Sequence, residues 1–550
     1  MIKVLFFFIA SVLYSIIYHL RQFFSLNLIK EYNSKNFEKF INVNNNFWKN
    51  NYTNLDKEKR NILITNFVHH AGYTITEAII TKNIQNFYNF NIIGLINAND
   101  NFGKKLIKSF NINNFIVYPK INFYQRVKFL FQSFKIIKNI KNIDDFINLE
   151  LDDINFGRIV YDHIIRTTAI CSFNKISYKF FFFLADALFC DSYSKKVFEN
   201  NNFEYMIMSE RQFLPSNIIF QNALKSNVKV ISRIAGPKKI GVMLYKSLDE
   251  KYYHKYKISK TFFNKIFDTN RELYSKKGFE KILDLFSGKT IHYDQNSKNT
   301  FLDNKNKNEI DHIYNVFNWD KSKKICAVFS NNLLDGNYTC GYRLFRDNLT
   351  WLRETLKFIK NLDLDINWII KDHPSDYGYT RANTNTFKEF QNIIGEQDNI
   401  KFFPKGINTS LIKKIVDCLL TSQGSAGLEY PCFGIPSIIA GNSFYKSFGF
   451  TLEPNSKTEY FEMIKNMHKI MDNGLSRQQI DAARINYYIV HELIKVDHSF
   501  LFNFDIKRSI DLDNFFDQST DIISKYKKEN DIFKKSLKKQ LDAKERHLIT

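Results

Sequence analysis

The chain has 550 residues, is 44% hydrophobic, and carries 78 Lys and Arg against 56 Asp and Glu, a formal net charge of +22. That is enough apolar material for large cores in two to four domains. The lysines are spread along the chain with no zinc-finger, RRM or KH pattern, so a nucleic-acid module is excluded, and the excess of Phe and Tyr is read as coding bias rather than base stacking. Six cysteines without CxxC spacing, in mostly apolar surroundings, argue for buried thiols in a reduced compartment and against zinc.

In chain order, Val4–Tyr18 is a 15-residue run without charge, shorter than the roughly 18–20 residues a spanning helix needs. Lys3 precedes it, no small-x-small cleavage site comes after it, and Arg21 and Lys30 do. Residues 1–22 are therefore expected to be an uncleaved anchor or interfacial helix, with a buried N-terminal helix as the alternative. Residues 23–60 are polar, Asn-rich and aperiodic, and read as a connector. A β-type run begins at Asn61 and is followed by His69-His70-Ala71-Gly72 and a helical stretch from Glu77 to Lys82. Further strands are expected at 92–96, 115–118, 205–208 and 228–231. Strands alternating with helices predict parallel βαβ units.

Residues 123–141 place Val127, Leu130, Phe134 and Ile137 at helical spacing, with Arg126, Lys128, Lys135, Lys138 and Lys141 on the other faces. A basic amphipathic helix of this kind is a membrane-surface candidate, or else a solvated helix packed on the sheet. Residues 240–310 read as helical and charged, and the polar stretch 303–308 reads as the interdomain boundary. The second domain opens with a strand at 324–330. A helix at 347–361 and strands at 366–371, 400–403, 415–421 and 437–439 come next. The expected division is an N-terminal domain at 61–310, a C-terminal domain at 311–500 and a basic, exposed or membrane-facing tail at 501–550.

The most informative stretch is 415–439. An apolar strand runs into Thr421-Ser422-Gln423-Gly424-Ser425-Ala426-Gly427, and Glu429 opens a helix. A small-residue loop between a strand and a helix N-terminus presents backbone N–H groups and partial positive charge to an anion. Neither GxGxxG nor GxxxxGK[ST] is present, so this is neither a dinucleotide fingerprint nor a P-loop. Glu429, one turn in, is placed to accept from ribose hydroxyls. His373-Pro374 ends another strand, where an α/β sheet puts its ligand contacts, with Lys371 two residues earlier. A structural turn and a capping histidine are the plain alternatives.

These residues resemble the donor-nucleotide region of GT-B glycosyltransferases, in particular the bacterial capsule polysaccharide biosynthesis family. Trp351-Leu352-Arg353-Glu354-Thr355 resembles its Trp-Leu-x-x-Thr helix, Lys371-Asp372-His373-Pro374 its Lys-x-His-Pro strand end, and Tyr161-Asp162 through Arg166 its Tyr-Asp-x-x-x-Arg segment. The likeness is good over about 320–470 and patchy over about 60–240. It implies an α/β, GT-B-like fold, two Rossmann-like domains facing across a cleft, with an N-terminal hydrophobic helix.

The resemblance also implies a metal-independent glycosyltransferase, hexosyl- or Kdo-type, without cofactor. It would act on a nucleotide-sugar donor and a lipid-linked or polysaccharide acceptor; the Val4–Tyr18 run, the 123–141 helix and the +22 charge add the expectation of a peripheral or N-terminally anchored place at the cytoplasmic face of the inner membrane. Lys371, His373, Ser422, Gln423, Gly424, Ser425, Ala426 and Glu429 would bind the donor, in the C-terminal domain. The base would come from the N-terminal, acceptor domain, where Asp162, Glu210 and His70 are the leading candidates and His69 and Glu77 are also ionisable. Glu210 departs from the family pattern, which has His near that point. Two other readings remain: a CDP-polyol phosphotransferase of teichoic-acid type, whose loop favours Asp-Tyr-Ser-Ser, and a non-catalytic GT-B-like scaffold.

Overall fold

A computed structural model describes residues 2–25, 34–49, 60–67, 70–236, 239–289, 310–378, 382–405, 407–497, 512–525 and 531–548. The chain forms two compact units, one of Met1–Ile164, Phe173–Lys251 and Ile494–Thr550, the other of Ile165–Ser172 and Tyr252–Leu493. Each is an α/β layer structure on its own sheet, in the expected fold class.

The first unit holds a seven-stranded sheet, ordered β12-β6-β5-β4-β1-β2-β3. Its strands are β1 (Asn61–Asn66), β2 (Asn91–Asn97), β3 (Asn114–Tyr118), β4 (Phe203–Met208), β5 (Lys229–Gly236), β6 (Lys239–Tyr245) and β12 (Val496–Asp497). The five strands from β5 to β3 are parallel, and β6 and β12 extend the sheet antiparallel. Ile62, Leu63 and Ile64 of β1 are fully buried. A parallel strand is covered by helices on both faces, so its sequence reads as a continuous apolar run.

The second unit holds a five-stranded, all-parallel sheet, ordered β11-β10-β7-β8-β9. Its strands are β7 (Ile325–Phe329), β8 (Asn367–Lys371), β9 (Ile400–Phe402), β10 (Cys418–Thr421) and β11 (Ser437–Ile439). Read outward from the first strand, each unit has the Rossmann order third-second-first-fourth-fifth. Each therefore has one topological switch point, between β1 and β4 and between β7 and β10, where α/β sheets place ligands at the carboxyl ends.

The helix Asn348–Lys360 shows how a family-like motif is built. The Asp347 side chain caps it by accepting from Thr350 N at 2.7 Å. Leu349, Leu352, Leu356 and Ile359 face the core at helical spacing. The Trp351 indole donates to the Tyr460 hydroxyl at 3.0 Å, and Thr355 bonds the same oxygen at 3.0 Å. The Trp and Thr of the motif thus anchor a buried tyrosine rather than a ligand.

The chain is divided differently from the expected boundaries. Residues 252–289 belong with the second unit, where Gly278 lies against the Arg484 backbone of the helix Arg477–Tyr488. Within the stretch read as helical, β6 is a strand: Val242 to Tyr245 are buried and pair with β5. The boundary stretch 303–308 lies outside the described residues.

The expected connector contains the helix Lys35–Lys49, whose Phe37, Phe40 and Trp48 are core residues. The described tail is also core. Phe515 and Phe516 of Leu512–Lys525, and Phe533, Leu537 and Leu541 of Ile532–Asp542, join the cluster around Phe37 and Phe40. The Phe37 and Phe516 rings are 4.7 Å apart. The tail's lysines occupy the outer faces of amphipathic helices whose inner faces complete the first unit's core.

Candidate functional site at the two carboxyl edges

In the second unit, β10 ends at Thr421 and the loop Ser422–Ser425 crosses the switch point beside β7. Asn331, just past β7, ties the two strand ends together. Its Oδ1 accepts from the Thr421 hydroxyl and from Gln423 N, each at 3.4 Å. The Gly424 amide donates to Thr421 Oγ1 at 3.3 Å. A buried arginine, Arg343, holds the loop from below. Its guanidinium donates to Ser422 Oγ, to Asn348 Oδ1 at 2.7 Å and to the Asn337 carbonyl at 3.1 Å. Beyond the loop, the Tyr445 hydroxyl donates to the Gly424 carbonyl at 2.5 Å. A Cβ at Gly427 would meet that hydroxyl and the Ile439 side chain, so a larger residue there would have to displace Tyr445.

Ser422 is buried and accepts from Arg343, so its hydroxyl is engaged within the fold. Gln423 and Gly424 are half-buried and Ser425 is exposed. The Gln423 Oε1 atom is buried and has no hydrogen-bond partner among the described residues. The helix after the loop is a single turn, Ala426–Glu429, running into a 3-10 turn at Pro431–Phe433. Four peptide units sum to little macrodipole, which corrects the expected helix contribution. The loop amides and hydroxyls are the anion-binding groups that remain.

Glu429 is half-buried, and burial pushes its carboxyl up against the opposing bond from Ser425. Such a carboxyl can accept from a hydroxyl pair or, protonated, donate to one. On the neighbouring strand, the Ser375 amide donates to His373 Nδ1 at 3.1 Å. A neutral ring that accepts at Nδ1 carries its proton on Nε2, which makes Nε2 a donor. Lys371 differs from expectation. Its ammonium is ion-paired with Asp372 and donates to the Asp372 carbonyl at 3.1 Å, so its charge is met within the fold. At the end of β11, Arg343, Gly441, Asn442 and Lys446 line a cavity of ≈ 240 Å³.

In the first unit, the corresponding edge has other chemistry. His70, beyond β1, occupies the N-cap position of the helix Ala71–Tyr88 without a side-chain cap bond, and Glu210 comes after β4. Tyr73 and Glu77 share a helix face four residues apart. The His70 and Tyr73 rings are 4.6 Å apart, and the Arg233 guanidinium lies 3.5 Å from the Tyr73 ring centroid. Arg233 Nε donates to Ser209 Oγ at 2.8 Å, and the Ser209 amide donates to the Glu77 carboxyl. Burial pushes Glu77 up to about 8, with the Ser209 bonds and Arg233 opposing and Glu210 adding. Glu210 is half-buried and accepts from Arg211 N at 3.0 Å.

The fold therefore brings His70, Glu77 and Glu210 to one switch point. Asp162 is in the helix Phe156–Thr168, and its side chain is buried. His69 is outside the described residues. Sequence reasoning missed Arg233 and Arg343. Arg233 had a signal, a charge inside an otherwise apolar strand. Arg343 had none, because its segment is irregular. Among the described residues no three His, Cys, Asp or Glu side chains gather as a metal-binding group.

No protein-family model matches the chain, and no curated protein matches it. Solved structures do resemble it. The S. aureus MnaA–UDP structure is 12% identical over 78% of this chain and 92% of its own, with a TM-score of 0.29. A glycosyltransferase from Rickettsia africae ESF-5 is 11% identical over 86% and 100%, with a TM-score of 0.24. The beta Kdo 2,7 transferase of Thermosulfurimonas dismutans KpsC is 14% identical over 53% and 80%, with a TM-score of 0.28.

Proposed function

We propose that the chain is a glycosyltransferase that moves a sugar from a nucleotide-sugar donor to a surface-polysaccharide or glycolipid acceptor. The observation that carries this reading is the placement of the Ser422–Ser425 loop at the β7/β10 switch point, with His373 ending the adjacent strand. In this reading the donor phosphates lie over the loop. The Ser425 hydroxyl and His373 Nε2–H donate to them, stabilising charge on the departing nucleotide. Glu429 takes the ribose hydroxyls. The first unit's switch point carries the ionisable candidates for a base, Glu210 and His70. Glu77, buried and held neutral at ordinary pH, positions the Ser209–Glu210 turn.

The test is a calorimetric panel of UDP-, GDP-, CMP- and CDP-sugars. One nucleotide class should bind, and Glu429→Ala should weaken it about tenfold, the size of one lost charge-assisted bond. A folded Glu429→Ala protein with unchanged affinity would remove the ribose role. A CDP-polyol bound in preference to every sugar nucleotide would transfer the reading to polyol-phosphate transfer.

A further inference from the structure

The N-terminal helix is not buried as a core element, and it is not a span. Among the described residues no helix is long and apolar enough to cross a membrane. Ile2–Ser25 instead packs antiparallel along Phe123–Ile137. Phe8 meets Phe134 at 4.9 Å between rings, and eleven residues on, His19 meets Phe123 at 6.0 Å. On its inner side, Tyr14 and Tyr18 pack on Phe182 of the helix Tyr178–Glu199, and Ser11 and Ser15 are buried with their hydroxyls bonded to the helix's own carbonyls. Arg126, expected on a basic outer face, points inward and pairs with Asp186 at 2.5 Å.

The outer sides of both helices are apolar and exposed. Phe6, Ile9 and Leu13 are 66%, 52% and 57% exposed, and Tyr124, Val127 and Phe131 are 81%, 37% and 51% exposed. Both sets recur at i, i+3 and i+7, which is one face of a helix. A lone exposed leucine needs no explanation, but two parallel stripes of this kind on neighbouring helices do. Neither helix contains an Asp or Glu. Lys128, Lys135 and Lys138 are exposed along the second helix, and Lys135 Nζ lies 4.8 Å from the Phe131 ring centroid, its stem lying along apolar surface.

We propose that this two-helix face docks in the plane of an anionic bilayer surface, its stripes at the headgroup–acyl boundary and its lysines at lipid phosphates. Charge decides the occupant. A second copy would set these lysines against their own counterparts, whereas anionic lipid complements them.

The test is co-flotation of the full chain with phosphatidylcholine vesicles, with and without phosphatidylglycerol, at low and high salt. Binding should need the anionic lipid and weaken with salt. Leu13→Glu combined with Phe131→Glu should weaken it at least tenfold while the unfolding midpoint stays unchanged, since both side chains are exposed. Lys128→Glu and Lys135→Glu should each cost about fivefold and only on anionic vesicles. Failure of the wild type to float with anionic vesicles would overturn the proposal. So would full binding by the double variant, or light scattering showing a dimer that the double variant dissolves.

Discussion

The two sheets share a strand order and finish their central strands in different chemistry. At the β7/β10 edge the loop side chains Ser422 to Ser425 are small or neutral, and a buried charge, Arg343, lies beneath the loop bonded to Ser422, Asn337 and Asn348. At the β1/β4 edge the groups are large and ionisable: His70, Tyr73, Glu77, Glu210 and Arg233. A small-residue edge lets a ligand's phosphate reach the backbone. An ionisable edge can move a proton. One fold occurs twice in the chain, and the loops after the first and fourth strands give the two copies different side-chain chemistry. The difference lies in loop side chains, not in topology.

That contrast breaks hardest at Glu77. Its carboxyl is raised from 4.5 to about 8 by burial. Between those values the folded state holds a proton that the unfolded state has released. The favourable contribution is complete below about pH 4.5 and is lost as pH rises through about 8. Wild-type stability should therefore fall over that window by as much as about 4 kcal/mol. Glu77→Gln keeps the acceptor for the Ser209 amide and should abolish the decline. Urea midpoints at pH 5 and pH 8.5 measure this, and equal pH slopes in the two proteins would return Glu77 to an ordinary carboxylate.

Arg343 comes next. Its removal leaves Ser422, Asn337 and Asn348 without their shared donor, and should cost about 3 kcal/mol of unfolding free energy. Arg343→Lys should not restore it, because a single ammonium cannot span the planar fork. A loss under about 1 kcal/mol would mean that Asn331 and Tyr445 hold the loop unaided.

The third effect separates proton transfer from structure. Glu210→Gln should lower turnover about a hundredfold, roughly 2.7 kcal/mol, with donor affinity unchanged. Asp162→Asn, buried in the helix Phe156–Thr168, should leave turnover within a few-fold of wild type. The reverse ranking would move the base to the Tyr161–Arg166 segment.

Much of the second unit was legible in the sequence. Parallel strands buried on both faces are continuous apolar runs, so β7, β8 and β10 stand out. The loop at 421–427 announces itself through residue size, because close backbone approach excludes larger side chains. The first unit was less legible. Lys35–Lys49 and the two tail helices are Asn- and Lys-rich on their outer faces, and their sparse Phe and Leu positions become a core only when 477 residues of separation are closed, as between Asn36 and Asp513.

Sequence alone determined the local periods and the small-residue loop, because each depends on neighbours within a few positions. Tertiary structure decided three things no local pattern encodes. It placed the tail in the first unit's core. It turned Arg126 inward to Asp186 and left Val127 and Phe131 outward. It gathered His70, Glu77, Glu210 and Arg233 from beyond two strands, the interior of a third and one helix. In each case the deciding quantity is burial, which is set by what packs on a residue from elsewhere in the chain.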